Sequence, residues 1–157
     1  MMLTFVESHR DQVSIEKKIF NSNPEYNYIA FDKRYLEAND ILYQYEEAVE
    51  LKTNRYLISL DEEPIGIIEY GMLSPRAHKP WLSLLLIDKE YQGLGYAKES
   101  YFLYEDLMRD KGVKSIQIAV HAINKKALDF WIPLGFEKYD ERIYEQKLYY
   151  SFEKKLK

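Results

Sequence analysis

Gln92-Gly93-Leu94-Gly95-Tyr96-Ala97-Lys98 is the stretch of this 157-residue chain whose residue types and spacing point most directly to a bound ligand. It follows Trp81-Leu82-Ser83-Leu84-Leu85-Leu86, an apolar run that reads as a strand buried on both faces. After it, Ala97, Tyr101, Tyr104, Leu107 and Met108 recur at helical spacing. The glycines therefore stand where a buried strand turns into a helix. The first N–H groups of a helix lack intrahelical partners, and the dipole there favours negative charge. Gly93 and Gly95 carry no Cβ, so a ligand can approach the backbone and φ can be positive. The expected ligand is an anion, most simply a phosphate group.

Composition narrows the partners. Hydrophobic residues make up 46% and charged residues 31%, as in a globular protein. A net charge of −4 argues against nucleic acid as partner. There is no cysteine, so disulfides, thiolate metal sites and cysteine nucleophiles are excluded together. His9 and His78 suggest no metal site. No basic segment leads into a long apolar one at the N-terminus, and no membrane-length apolar run occurs, so the expected setting is cytoplasmic, without a membrane partner.

The elements that must position the glycine turn follow in order. Met2–Val6 reads as a strand, Ser8–Phe20 as a helix, and Asn21–Tyr28, with Asn23-Pro24, as a loop. A helix is expected over Asp32–Leu51, with Glu46, Glu47 and Glu50 on a solvated face. Arg55–Leu60 and Ile65–Met72 form a hairpin, and the loop Leu73–Pro80 leads into the central strand. The central helix ends at Lys111-Gly112. Ser115–Val120 is a further strand, Asn124–Ile132 a short helix, and Phe136–Tyr139 with Ile143–Phe152 a last pair of strands. With no internal repeat or linker, residues 1–157 read as a single α/β domain of order β-α-α-β-β-β-α-β-α-β-β on one mixed sheet.

The glycine turn does not suit a dinucleotide fold, which wants a third glycine where Lys98 stands and a place after the first strand. Nor does it end in the G-K-[ST] of a triphosphate loop. Instead Gln92-x-x-Gly95-x-Ala97 resembles the Q/R-x-x-G-x-G/A motif of the GNAT superfamily of acetyl-coenzyme A-dependent N-acetyltransferases. Ile87-Asp88-Lys89-Glu90-Tyr91-Gln92-Gly93 is similar to the V-D-P-E-Y-Q-G that often leads into it. Downstream, Val120-x-x-x-Asn124-x-x-Ala127-x-x-Phe130-Trp131-x-x-x-Gly135-Phe136 is similar to a second family motif, in the right order and at the right separation.

The resemblance implies a mixed, mainly antiparallel sheet flanked by helices, with acetyl-coenzyme A as cosubstrate and no metal. It implies that backbone groups of Leu85, Leu86 and Ile87 pair with the pantetheine arm. Gln92, Gly93, Leu94, Gly95, Tyr96, Ala97 and Lys98 would hold the pyrophosphate. Asn124 would contact the arm, with Phe130 and Trp131 near its thiol end. The implied reaction is direct attack by a primary amine of a small molecule, or by an exposed amino group, on the thioester. The sequence departs from the family where a tyrosine often serves as acid: Trp131 stands there, and an indole N–H cannot act as a proton acid near neutrality. Trp81, Ser83 and Ala119 occupy places where relatives keep a glutamate. Among the remaining residues Glu69 is the candidate base, on one strand face with Ile65 and Ile67, where apolar surroundings would raise its pKa. Tyr70 is the alternative catalytic candidate and would line the acceptor pocket; His121 is a candidate relay. A coenzyme A-binding module with weak or lost catalysis is the second reading, and a structural protein retaining only the fold the third. A homodimer through the C-terminal strands or a sheet edge is compatible with the sequence.

Overall fold

The computed structural model describes residues 2–157 and builds one seven-stranded sheet from seven strands and five helices. In chain order these are β1 (Leu3–Glu7), α1 (Val13–Asn21), α2 (Pro24–Phe31), α3 (Ala38–Leu51), β2 (Thr53–Leu60), β3 (Glu63–Gly71) and β4 (Trp81–Ile87). There follow α4 (Tyr96–Asp110), β5 (Ser115–His121), α5 (Lys125–Trp131), β6 (Glu137–Tyr144) and β7 (Lys147–Lys155). Strand order is β1-β2-β3-β4-β5-β7-β6, antiparallel throughout except for β4 beside β5. The mixed α/β class and mainly antiparallel sheet are as expected. No helix of the described residues is long and apolar enough to cross a membrane.

Three local differences have physical causes. Asn23-Pro24 does not open a loop but starts α2, because proline at the first helical position loses no hydrogen bond and is pre-set in φ. The long helix begins at Ala38 rather than Asp32: the Glu37 N–H donates to Asp40 Oδ2 at 2.7 Å, capping the helix there. The last hairpin turns at Glu145-Gln146, both with positive φ, rather than at residues 140–142. Two-residue hairpin turns need that conformation and usually signal it with Asn-Gly, which this chain lacks.

The sheet buries a different cluster on each face. One holds Ile19, Phe20, Leu36 and Ile41 of the N-terminal helical region against Leu57, Ile67 and Leu86. The other holds Tyr101, Tyr104 and Met108 of α4 and Trp131 of α5 against Ile58, Ile68, Leu82 and Ile118. The side chains of Glu69 and Arg55 share the first face, and that of Tyr70 the second, as strand alternation requires. Ile65, expected beside Ile67 and Glu69, belongs instead to the α4 cluster, because the β2–β3 register shifts at Ile58/Ser59 and inserts it as an extra residue.

Two features of β4 shape the site. Its register with β3 jumps between Glu69↔Leu84 and Tyr70↔Leu82, which leaves Ser83 as a bulge. Toward β5 it shares the single bridge Trp81↔Gln117, with the Gln117 N–H donating to the Pro80 carbonyl at 3.0 Å, and beyond that point the two strands have no ladder. On its other side β4 presses against Gly66, where an added Cβ would stand 2.6 Å from the Leu86 carbonyl oxygen. Gly66→Ala is therefore expected to push β4 outward and destabilise the protein by about 1–3 kcal/mol. Urea denaturation of the variant against wild type measures this.

Candidate functional site

The site has two halves, one at each end of the open β4 edge. The first is the turn between β4 and α4. The Asp88 carboxylate accepts from the Glu90 N–H at 3.0 Å and caps a short helical turn over Lys89–Tyr91. Gly93 and Gly95 then take φ of 79° and 90°, and above each an added Cβ would meet nothing within 4 Å. The backbone N–H groups of Gly93, Leu94, Gly95, Tyr96, Ala97 and Lys98 have no acceptor among the described residues. A run of free N–H groups at a helix start, with open space in front, is a cradle for an anion.

Gln92 serves as the pin of this cradle. Its Nε2 donates to the Ile87 carbonyl and to Asn23 Oδ1, each at 2.7 Å, and its Oε1 accepts from Lys126 Nζ at 2.6 Å. The end of β4, the start of α2 and the first turn of α5 are thereby tied to one side chain. The Ile87 carbonyl also accepts from Asn23 Nδ2 at 3.0 Å, so it is engaged twice within the protein, while Leu85 and Leu86 lie on the stretch of β4 without a β5 ladder. Asn124 caps α5, its Oδ1 accepting from the Ala127 N–H at 3.1 Å. Phe130 and Trp131 meet edge to face, and Trp131 packs the same way on Tyr101 and Phe136.

The second half is a cavity of about 180 Å³ on the opposite side of the Ser83 bulge, between α2, α3 and the β3–β4 face. Its floor is an ion network centred on Arg55, which faces Glu69 directly across β2 and β3. Arg55 Nε donates to Glu69 Oε1 at 2.7 Å, Nη1 to Glu16 Oε1 at 2.7 Å and Nη2 to Gln44 Oε1 at 2.6 Å. Burial alone would draw the Arg55 pKa down, but Glu69 and Glu16 outweigh it and raise it further. Glu16, fully buried, also accepts from Ser8 Oγ at 2.7 Å and from the Tyr45 hydroxyl.

Glu69 thus sits in surroundings unlike those expected. Besides Arg55, it accepts from Thr53 Oγ1 at 3.0 Å and from Ser83 Oγ at 3.1 Å. It is a fixed negative charge in a polar network, not an isolated carboxyl among apolar side chains. Tyr70 is displaced altogether: it stacks on Tyr56 at 5.4 Å and meets Tyr104 at 5.1 Å, on the α4 face of the sheet. Because neighbouring strand residues point to opposite faces, it cannot line the cavity that Glu69 lines. His121, at the end of β5, packs its ring 4.3 Å from Tyr149. Burial lowers its pKa, as does Lys147, against the opposing pull of Asp32.

Three contributors escaped the sequence reading: Arg55, Gln44 and Glu47. Ile41, Gln44 and Ala48 are buried at helical spacing on α3, and Glu47 and Leu51 continue along the cavity wall. Glu47 is exposed, as expected of that face, and it also borders the cavity. Its pKa is raised, by burial first and then by the charges of Glu69 and Glu145, with Arg55 opposing. The available signal was that Gln44 falls on the buried side of a helix, where a polar residue calls for a partner.

A seven-stranded mixed sheet opened at its one parallel pair, with a glycine cradle at the start of the helix that follows, is the architecture of an acyl-coenzyme A-dependent transferase. The family model described as "Acetyltransferase (GNAT) family" matches residues 17–136, and the chain belongs to that family of acetyl-coenzyme A-dependent acetyltransferases. Among solved structures, an acetyltransferase from Thermus thermophilus superimposes with a TM-score of 0.82 at 21% identity, over 99% of this chain and 98% of that one. The PaiA N-acetyltransferase of Thermoplasma acidophilum, in complex with coenzyme A, gives 0.70 at 18% identity over 99% and 100%. A spermidine N-acetyltransferase from Vibrio cholerae, in complex with coenzyme A and spermine, gives 0.73 at 16% identity over 98% and 95%. These likenesses are of fold. A search of curated protein sequences gives no significant match.

Arg55→Met removes the one cation between two buried carboxylates. It is expected to destabilise the protein by about 3–5 kcal/mol, since breaking a buried pair strands its partner. Chemical denaturation monitored by tyrosine and tryptophan fluorescence checks this.

Proposed function

We propose that this protein transfers an acetyl group from acetyl-coenzyme A to a primary amine, by direct attack, with the amine entering the cavity between α2, α3 and β4. The observation that carries the reading is the placement of the cradle and the acidic cavity at opposite ends of the unladdered β4 edge. Open space at Gly93 and Gly95, and the free N–H groups up to Lys98, fit a pyrophosphate. Gln92 holds that loop in shape. Leu85 and Leu86 offer the backbone edge, and Ile87 anchors its end. Asn124 keeps its Nδ2 for the arm while its oxygen caps α5, and Phe130 and Trp131 form the apolar wall. When bound, acetyl-coenzyme A supplies the thioester whose carbonyl the amine attacks.

An alkylamine arrives protonated, with a pKa of about 10.4. Glu69, fixed beside the Ser83 bulge, gives the ammonium a negative charge to settle against. Glu47, on the wall of the same cavity and with its pKa raised, is the proton acceptor on the way to solvent. A thiol of pKa about 8.5 departs as thiolate without an acid, which is why Trp131 can stand where relatives keep a tyrosine. The same tryptophan is what favours the second reading, a coenzyme A-binding module with weak catalysis. The Vibrio cholerae protein of like fold is a spermidine N-acetyltransferase, and the acidic lining here supports an acceptor that is likewise a cationic amine.

Thermal unfolding tests what the two readings share, and acetylation of an amine separates them. Acetyl-coenzyme A and coenzyme A at about a hundred times Kd are expected to raise Tm by about 5–10 °C, and NADH and ATP much less. Gly95→Val is expected to lose that shift, since a Cβ there fills the space the ligand needs; because φ of 90° also strains a branched residue, circular dichroism of the variant checks that it is folded. Absence of a shift in wild type removes the coenzyme A reading, and with it both alternatives. For the proton acceptor, a base works only when deprotonated, so activity falls as pH drops through the raised pKa of Glu47. The acid limb of kcat/KM is therefore expected above the ordinary carboxylate range. Glu47→Gln is expected to abolish that limb and lower kcat about a hundredfold; an unchanged limb removes Glu47 from the chemistry.

A further inference from the structure

We infer that Gln44 recognises an oxygen atom of the acceptor, so that the preferred acceptor is a short amine carrying a hydroxyl or carbonyl oxygen rather than a plain alkylamine or a polyamine. The inference rests on the cavity being the acceptor site, as proposed above.

The argument begins with the orientation of one amide. Gln44 is 9% exposed, and its carbonyl end must face Arg55, because a guanidinium offers only donors. The 2.6 Å contact from Arg55 Nη2 to Oε1 therefore excludes a flip and fixes Nε2 on the other side. That Nε2 is itself covered and has no partner among the described residues; its side chain borders the cavity, so the wall parts slightly for a ligand oxygen to reach it. A buried donor left unpaired is unfavourable, and a ligand oxygen relieves it.

Apart from the Tyr26 hydroxyl, the other polar groups on the wall are already assigned or of opposite character. Ser83 Oγ is spent on Glu69, and Glu69 and Glu47 are acceptors that suit a cation. The Tyr26 hydroxyl stays protonated, its pKa pushed up to about 12 chiefly by burial, and so can donate beside Gln44 to the same ligand oxygen. The cavity therefore asks for two things at once: a positive amine against the carboxylates and an acceptor atom against Gln44 Nε2. A protonated polyamine carries only N–H and C–H groups and leaves Nε2 unsatisfied. An amino alcohol or an amino amide meets both requirements. Phe31, Leu51 and Leu84 supply apolar contact for the short chain between the two ends.

The test compares 3-amino-1-propanol with butylamine, which differ by an oxygen in place of a terminal methyl. Wild type is expected to favour the amino alcohol at least tenfold in kcat/KM, corrected for amine ionisation. β-Alaninamide tells a carbonyl from a hydroxyl, and a preference for either oxygen compound over butylamine supports the inference. Gln44→Met removes the donor; Gln44→Glu keeps an oxygen toward Arg55 while removing the donor. Both are expected to bring the ratio to about one. A merely structural role for Gln44 lowers both activities together and leaves the ratio intact, which overturns the inference, as does a wild-type ratio near one or a preference for spermidine. The same amines are compared by the rise in Tm they cause in the presence of coenzyme A, a readout that needs no turnover. If no amine is acetylated, the transfer reading falls by itself, and the paired Tm shifts still decide whether Gln44 selects for oxygen.

Discussion

Everything in this molecule depends on two parallel neighbours that part company. β4 and β5 share the bridge at Trp81 and Gln117 and then separate, which leaves a strand edge unpaired in the middle of a sheet rather than at its rim. Such an edge is a row of backbone donors and acceptors needing partners. The parting is maintained from both ends. At one, Gln92 and Asn23 take up the Ile87 carbonyl and hold the glycine turn beside it. At the other, the Ser83 bulge twists β4 away and turns a hydroxyl toward Glu69. The gap is thus a built feature of the sheet, with two differently charged ends: free N–H groups at the cradle and carboxylates at the cavity.

The cavity end carries a charge imbalance. Glu16 and Glu69 flank one guanidinium, and the remaining hydrogen bonds come from neutral donors, Thr53, Ser83, Ser8 and Tyr45. Neutral donors stabilise a carboxylate without cancelling its charge, so the network keeps a residual negative potential directed at the cavity. In a low-dielectric setting that potential acts strongly on an arriving cation. Burying such a cluster contributes little to stability compared with apolar packing. Its value lies in holding Glu69 still.

How far the sequence could be read follows from how locally each feature is encoded. The glycine turn, its flanking strand and helix, and the Asn124–Phe136 segment are contiguous, and the structure places them as a strand–turn–helix and a capped helix. The departure at Trp131 was equally visible. Arg55, Gln44 and Glu47 were not, because their meaning arises only when α1, α3, β2 and β3 come together; in the chain they are a strand residue and two polar positions on a helix. Glu69 stands on the strand that its place in the chain implies, yet its polar setting is not legible there, since Thr53, Arg55 and Ser83 come from neighbouring strands. The bulges at Ile65 and Ser83 belong to the same class of feature: strand alternation predicts an unbroken pleat, and one inserted residue reverses every later assignment on one side.

The hairpin of β6 and β7 adds a further consequence. Its turn reaches the N-terminal helices, where Lys147 Nζ donates to the Ile29 carbonyl and pairs with Asp32 at 3.0 Å. The helix α2 is therefore tied to the last hairpin by residues 118 positions apart, through a hydrogen bond and an ion pair. Contacts of such sequence separation form after the local ones during folding, and thinly packed ones are the first to open in the native state. The link between α2 and the last hairpin is thus expected to form late and to open before the buried Arg55 network does.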